Sequence, residues 1–197
     1  MSAKALAALA RRLNREAGAP CIPALYFFTD PERTPDPVAI ARTLPAQTAV
    51  VYRHFGASDR ARVAQRLATI CRSRRLTLLI GADPDLARRV GAAGVHWPER
   101  KLPDVRTGEF ALMTASAHSR DAVRRAAFAG ADACMLGPVF ETQSVSANAP
   151  LGLFRASQIA HGFAIPVIAL GGVNARNAAR LSGRGFAGVA AIDAFLD

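Results

Sequence analysis

The residues best suited to chemistry come at or just after short apolar runs of the chain. They are Arg53, His54, Asp83, His96, Ser116 and His118. Imidazole and hydroxyl groups can hold or move a proton, and a guanidinium can pair with a carboxylate or a phosphate. Three histidines with Asp83 could instead bind a metal ion, although their spacing indicates only that they share one rim. Arg53 could equally be a solvated residue of that rim.

A second feature is the pair Gly171-Gly172, which joins an apolar run to a predicted helix. Glycine lets the backbone approach a ligand closely, and the N–H groups at a helix start can hold an anion such as phosphate. A simple tight turn would use the same residues. The pair therefore predicts a phosphate site only in combination with other signals.

The longest predicted loop begins at Gly137, includes Glu141 and Thr142, and extends to Leu151-Gly152. A loop of about 13 residues after a buried strand is uncommon unless it serves a function. It could form a lid over a site, or it could be a crossover without fixed structure.

These features lie between elements that alternate regularly along the chain. Eight apolar runs predict buried strands, at Ile22–Thr29, Thr48–Tyr52, Leu76–Ile80, Gly94–Trp97, Phe110–Thr114, Ala131–Leu136, Ile165–Leu170 and Phe186–Ile192. Helices are expected at Pro37–Leu44, Ser58–Arg74, Asp85–Gly91, Ser119–Ala129, Leu153–His161 and Asn174–Ser182. Eight strand–helix units favour an α/β protein with a (β/α)8 TIM barrel over an open doubly wound sheet, which would give the same alternation. We expect one barrel domain over 1–197, with 1–20 as an extra helix packed on it.

A barrel would explain why the polar residues follow the strands, because active sites in such barrels lie at the C-terminal ends of the strands. The last apolar run likewise ends at Asp193. We therefore expect these residues to meet at one mouth of the barrel.

The composition excludes a disordered chain and weakens a nucleic-acid interpretation. With 197 residues, 51% of them hydrophobic, the chain can bury the core of one domain. Its net charge of +10 is carried largely by arginine, since Lys4 and Lys101 are the only lysines, and this usage can reflect genome base composition. Nucleic-acid binding would rest on arginines that spread around one predicted helix, namely Arg60, Arg62, Arg66, Arg72, Arg74 and Arg75.

The cysteines and the N-terminal segment favour a cytoplasmic protein. Cys21, Cys71 and Cys134 show no disulfide or metal-ligand spacing, which predicts buried free thiols. No apolar run approaches the length of a membrane span. Residues 1–20 lack the apolar centre of a signal peptide, and a transit peptide is the less favoured alternative to a surface helix.

Taken in order, several segments resemble the thiamine phosphate synthase and TenI family. They are Leu25–Asp30, Gly94–His96, Ser116–Ser119, Gly130–Asp132, Gly137–Thr142, Pro150–Gly152 and Ile165–Val173. The resemblance runs from about residue 22 to the end and implies a (β/α)8 barrel. It also implies a reaction that joins a pyrimidine-methyl diphosphate to a thiazole phosphate, with Mg²⁺ on the leaving diphosphate.

The resemblance further implies a role for particular residues. The catalytic candidates are Ser116, His118 and Thr142. The substrate-binding candidates are Arg53 for the diphosphate, Gly171 and Gly172 for the thiazole phosphate, and His96, Gly137, Glu141 and Asp193.

The chain departs from the family at its charged positions. Gly81-Ala82 stands where the family has Asn-Asp, which leaves Asp83 as the only metal candidate, and Lys101 replaces a second metal-binding aspartate. Asp193 replaces a phosphate-binding serine, and its carboxylate would repel phosphate unless it is paired. Further departures fall at Val51, Phe55, Val145 and Ser146, and at Pro138, where the TenI branch has a histidine. The Mg²⁺ implied by the family is therefore poorly supported by these residues.

Three hypotheses follow, all without a membrane partner. The first is a thiamine phosphate synthase with altered metal and diphosphate positions, acting on small-molecule thiamine precursors. The second is a TenI-like protein that isomerises or only binds a thiamine-related heterocycle, with His118 or Glu141 as its acid or base. The third, less favoured, is a basic protein that binds nucleic acid.

Overall fold

Eight parallel strands close into a barrel, each hydrogen-bonded to the next in sequence order, with the last paired to the first. The computed structural model describes residues 3–106, 108–142, 149–174 and 176–195. Its strands are β1 (Leu25–Phe28), β2 (Ala49–Tyr52), β3 (Thr77–Gly81), β4 (Gly94–Trp97), β5 (Leu112–Ala117), β6 (Ala133–Leu136), β7 (Val167–Ala169) and β8 (Phe186–Ala191). The closed sheet confirms the predicted barrel and excludes the open doubly wound alternative.

The helices of the described residues follow the predicted alternation. They are α1 (Ala3–Glu16), α2 (Pro37–Ala41), α3 (Arg60–Arg74), α4 (Pro84–Val90), α5 (Arg120–Phe128) and α6 (Leu153–His161). Ser119 caps α5, because its hydroxyl accepts the N–H of Ala122. Between β4 and β5 the described residues form a short 3₁₀ turn, Glu99–Lys101, in place of an α-helix. No helix in the described part of the chain is long and apolar enough to cross a membrane.

The predicted helix Asn174–Ser182 is wrong, since the described residues of this segment form a 3₁₀ turn, Ala178–Leu181, and no α-helix. The cause lies in two asparagines. The Asn174 side chain accepts the N–H of Arg176 at 2.8 Å, and the Asn177 side chain accepts the N–H of Asn174 at 2.9 Å. These bonds compete with the backbone pattern of an α-helix.

The N-terminal helix α1 packs on the barrel as expected. Its buried face carries Leu6, Ala10 and Leu13 at helical spacing. The Asn14 side chain donates to the carbonyl of Ala187 in β8, at 3.2 Å. These contacts tie the helix to the outside of the last strand.

Side chains alternate between two cores along each strand. In β1, Tyr26 and Phe28 pack inside the barrel, whereas Leu25 and Phe27 face the helices. In β2, Val51 lies inside and Tyr52 outside. Alternation therefore decides which residue at the end of each strand faces the mouth of the barrel.

We predict that Gly94→Ala destabilises the protein by more than about 2 kcal/mol, because overpacking next to fixed backbone cannot relax. A Cβ at this position would lie 1.6 Å from the carbonyl oxygen of Leu112 in β5. Urea denaturation measures the loss, with Gly108→Ala as the control, since nothing lies within 4 Å of a Cβ there. Equal stability of the two variants would contradict the packing of β4 against β5.

Candidate active site

A cavity of about 620 Å³ opens at the C-terminal ends of the strands, a size typical of small-molecule sites. It brings together all ten residues that the sequence suggested for catalysis or substrate binding: Arg53, His96, Ser116, His118, Gly137, Glu141, Thr142, Gly171, Gly172 and Asp193. Its lining also includes Phe55, one of the departures from the family, and Arg33 and Glu99, which sequence reasoning missed. A smaller cavity of about 330 Å³ lies beside α1 and contains none of the ten.

Arg53 is held in a fixed position at the mouth. Its Nε donates to the carbonyl of Thr29 at 2.9 Å, and its backbone N–H donates to the Thr29 hydroxyl at 2.9 Å. The guanidinium lies 5.2 Å from the centre of the Phe28 ring. Burial lowers the pKa of Arg53 to about 10, so the group stays cationic at neutral pH. A preorganised, partly buried cation of this kind suits an anionic ligand.

Asp193 is paired, which removes the simplest objection to an anion in this cavity. Its carboxylate lies 3.0 Å from Nη1 of Arg33. Arg33 follows β1, and its Nη2 lies 3.5 Å from Asp30. Burial raises the pKa of Asp30, but hydrogen bonds from the backbone of Arg33 and Glu32 and the charge of Arg33 outweigh this effect and lower it. The feature of the sequence that could have identified Arg33 is its position as a basic residue shortly after the first strand.

His96 forms a buried bridge between two hydroxyl groups. Its Nδ1 lies 2.9 Å from the Thr114 hydroxyl, and its Nε2 lies 2.9 Å from the Ser116 hydroxyl. Phe28 meets the imidazole edge to face, with 4.9 Å between ring centres. Burial lowers the pKa of His96 to about 3. The ring is neutral, so one nitrogen donates and the other accepts, and the bridge orients Ser116 in the cavity.

His118, which follows β5, belongs to a second polar group of the cavity. Its Nδ1 lies 2.8 Å from Oε2 of Glu99, and its backbone N–H donates to the same oxygen. Arg125 donates to the other carboxylate oxygen at 2.7 Å. Burial raises the pKa of Glu99, but the hydrogen bonds from His118 and the charge of Arg125 outweigh burial, so the pKa lies below its ordinary value. With Nδ1 held by a carboxylate, Nε2 of His118 is the ring atom available for proton transfer.

The close packing of the backbone already requires glycine at both positions of the Gly171-Gly172 turn, whether or not a ligand binds there. Both residues have positive φ, and a Cβ on Gly172 would lie 2.1 Å from the carbonyl oxygen of Glu141. The backbone of Phe140 also donates to Gly171 at 3.1 Å. The N–H of Asn174, just beyond the turn, is already bonded to Asn177. The turn thus lines the cavity, but the expected helix start behind it is absent from the described residues.

The residues expected to bind a metal do not come together. Asp83 does not line the cavity; it accepts the N–H of Leu86 at 2.9 Å as the cap of α4, and Nε of Arg60 lies 3.6 Å away. Phe55 packs so close to Gly81 that a Cβ there would lie 3.0 Å from its ring. Within the described ranges, no three His, Cys, Asp or Glu side chains form a group that could hold a metal ion. The side chains present do not fit the Mg²⁺ implied by the family.

Other expectations are corrected by the fold. His54 packs against Tyr52, with 5.0 Å between ring centres, and does not line the cavity, so the three histidines do not meet. Cys71 and Cys134 are buried free thiols as expected, but Cys21 is exposed. The possible lid falls partly on residues 143–148, including Val145 and Ser146, which lie outside the described residues.

Comparisons with known proteins agree on one family. A family model described as thiamine monophosphate synthase matches residues 25–195. The thiamine-phosphate synthase of Alcanivorax borkumensis is 33% identical over 181 residues, which cover 86% of this chain and 83% of the relative. That of Bacillus velezensis is 29% identical over 196 residues, covering 93% and 87%. The structure of a thiamine phosphate pyrophosphorylase from Pyrococcus furiosus matches with a TM-score of 0.73 and 27% identity, over 86% and 85% of the two chains.

The neutral state of His96 predicts a pH dependence of stability. In the unfolded chain the His96 ring takes up a proton below its ordinary pKa of 6.5, whereas in the folded chain it stays neutral down to about pH 3. Stability from this site is therefore full above pH 6.5 and falls as the pH drops, by about 2 kcal/mol at pH 5. Urea denaturation at pH 7.5 and 5.0 measures this loss. Between pH 7.5 and 5.0 we expect the free energy of unfolding to fall less in His96→Gln than in the wild type, and to fall equally in the control His161→Gln. An equal fall in His96→Gln and the wild type would refute the assignment.

Proposed function

This chain belongs to the thiamine monophosphate synthase family, and we propose that it acts in thiamine biosynthesis as a transferase. The proposed reaction joins a pyrimidine-methyl diphosphate to a thiazole phosphate and releases diphosphate. The observation that carries the proposal is the single cavity lined by all ten residues that the family resemblance selects. We expect the reaction to take place in the cytoplasm, where thiols such as Cys71 and Cys134 stay reduced.

In this proposal the two arginines of the mouth hold the two phosphorylated substrates, with Arg53 at the diphosphate and Arg33, beside Asp193, at the thiazole phosphate. Diphosphate leaves readily only when its developing charge is neutralised. Arg53 and Arg33 both lie within 4 Å of Asp30, at 3.8 and 3.5 Å, so two guanidinium groups are held on one side of the cavity. Arg53 and Arg33 thus supply fixed positive charge at the mouth of the cavity.

Ser116 and His118 complete the proposed site from β5. The neutral imidazole of His96 orients the Ser116 hydroxyl toward the ligand. Glu99 orients His118, whose free ring nitrogen can donate to a phosphate oxygen or move a proton. Thr142, Glu141 and the Gly171-Gly172 turn face them across the same cavity, where the thiazole phosphate is proposed to lie.

We assign no step to Mg²⁺, because the side chains present do not fit it. Asp83 is engaged by α4 and Arg60, away from the cavity. Arginine charge without a divalent ion is a weaker means of stabilising a leaving diphosphate. We therefore expect slow transfer with little dependence on added Mg²⁺.

The poor fit of these side chains to Mg²⁺ favours a second candidate function. A protein that lacks the metal carboxylates can still bind a thiamine-related heterocycle or isomerise it. Pro138 occupies the position of the TenI histidine, but His118 and Glu141 both line the cavity and could act as its acid and base. Nucleic-acid binding has less support, since Arg60, Arg72 and Arg74 donate to backbone carbonyls of this chain.

An assay with both substrates distinguishes the two candidates. The purified chain is incubated with the pyrimidine-methyl diphosphate and the thiazole phosphate, with either Mg²⁺ or a chelator, and thiamine phosphate is separated and quantified. Product formation supports the transferase. Calorimetric binding of thiamine phosphate without any product supports the second candidate, and neither product nor binding would refute both.

We predict that Ser116→Ala lowers the turnover of the transfer reaction by roughly 100-fold, as expected for loss of one preorganised donor to a developing negative charge. Its effect on KM should be smaller, because the hydroxyl acts mainly on the departing group. The matched control is Ser73→Ala on the exposed face of α3, whose hydroxyl bonds only within its own helix. An unchanged turnover in Ser116→Ala would remove Ser116 from the mechanism.

A further inference from the structure

Arg33 and Asp193 bring opposite charges together at the proposed phosphate end of the cavity. Arg33 follows β1 and Asp193 follows β8, the two strands that pair to close the barrel. Both side chains line the cavity together with Gly171 and Gly172. Their ion pair therefore borders the region in which a ligand phosphate is proposed to lie.

Arg33 has a second acidic partner, Asp30, besides Asp193. Asp30 accepts the backbone N–H of Arg33 at 3.1 Å, and its other oxygen lies 3.5 Å from the Arg33 guanidinium. The Arg33 side chain is only 26% exposed. The cation is thus directed into the mouth by its own loop, and Asp193 is an additional partner.

Asp193 is the more exposed partner of this pair. Its side chain is 61% exposed, and exposed ion pairs contribute little net stability because water competes with them. A phosphate ester carries more charge and more acceptor oxygens than one carboxylate, so it can replace Asp193 on the guanidinium. Replacement leaves Asp193 in water at small cost.

The charges that line the cavity make the replacement of Asp193 by a ligand phosphate important for affinity. The lining contains two arginines, Arg33 and Arg53, and three carboxylates, Glu99, Glu141 and Asp193. Glu99 is already bonded to His118 and Arg125. Although the whole chain carries a net charge of +10, the described residues that line the cavity include no excess of cations for a phosphate ligand.

We propose that Asp193 is a built-in competitor for the anion-binding guanidinium of Arg33, and that their ion pair limits the preference of this cavity for phosphorylated over unphosphorylated ligands. The inference rests on the proposed function, since it takes the ligand to be a thiamine-type heterocycle. It assigns Arg33 a specificity role and makes Asp193 the residue that weakens it.

Calorimetry with thiamine phosphate and with thiamine tests the proposal on the full chain. We expect Asp193→Asn to bind thiamine phosphate roughly 5- to 10-fold more tightly than wild type, and thiamine with unchanged affinity. Adding Arg33→Gln to Asp193→Asn should abolish the gain. Raising the salt concentration should also reduce it. Asp193→Ser provides a second variant, and thermal unfolding checks that each protein is folded.

The matched controls are Asp121→Asn and Arg124→Gln. This pair is also exposed, with 2.9 Å between charged atoms, and it lies on α5 outside the cavity lining. Asp121→Asn changes the net charge by the same amount and should alter the affinity for thiamine phosphate less than 2-fold, as expected for a distant exposed charge.

Three results would overturn the proposal. One is that folded Asp193→Asn and Asp193→Ser bind thiamine phosphate no more tightly than wild type, or not at all. Another is that the gain persists when Arg33 is also replaced, and the third is that Asp121→Asn gives the same gain. The proposed transferase is judged separately, by product formation in the wild type: product without any gain in Asp193→Asn refutes only the competitor, and a gain without product refutes only the transferase.

Discussion

Closure of eight parallel strands into a barrel is the constraint on which the remaining structure depends. A closed parallel sheet directs every carboxyl end to the same mouth, and strand alternation directs every second side chain inward. Phe28 of β1 and Val51 of β2 point inward, and Arg53, the residue directly after β2, lines the cavity above them. Residues separated by more than a hundred positions, such as Arg33 and Asp193, meet because β1 pairs with β8.

The polar groups of the mouth form a few small sets, each held by a partner from a neighbouring strand. Thr29 holds Arg53, and His96 connects Thr114 with Ser116. Glu99 serves both His118 and Arg125. Because the strands are rigid, these partners orient the functional groups before any ligand is present, which is the arrangement that binding and catalysis require.

The β2–β3 edge, where the family resemblance implies a metal ligand, is packed with other side chains of this chain. Phe55 fills the space beside Gly81 that a larger side chain would need. Arg60 approaches Asp83 and also donates to the carbonyl of Gly81 at 2.8 Å. An apolar ring and a guanidinium thus occupy one side of the β2–β3 edge, while the barrel around it keeps the arrangement of the family.

The sequence by itself predicted the alternating strands and helices and the N-terminal helix, because apolar runs and turn residues report directly on buried strands and their ends. The choice of a barrel and most of the residues at its mouth came from the resemblance to the family. The sequence pattern failed over 174–182, where asparagine side chains bind the backbone in place of a helix. Only the tertiary structure decided that Asp83 and His54 lie away from the cavity, that His96 is a neutral bridge, and that Arg33 neutralises Asp193. Pairing and burial depend on contacts between distant strands, and the order of residues along one chain does not contain those distances.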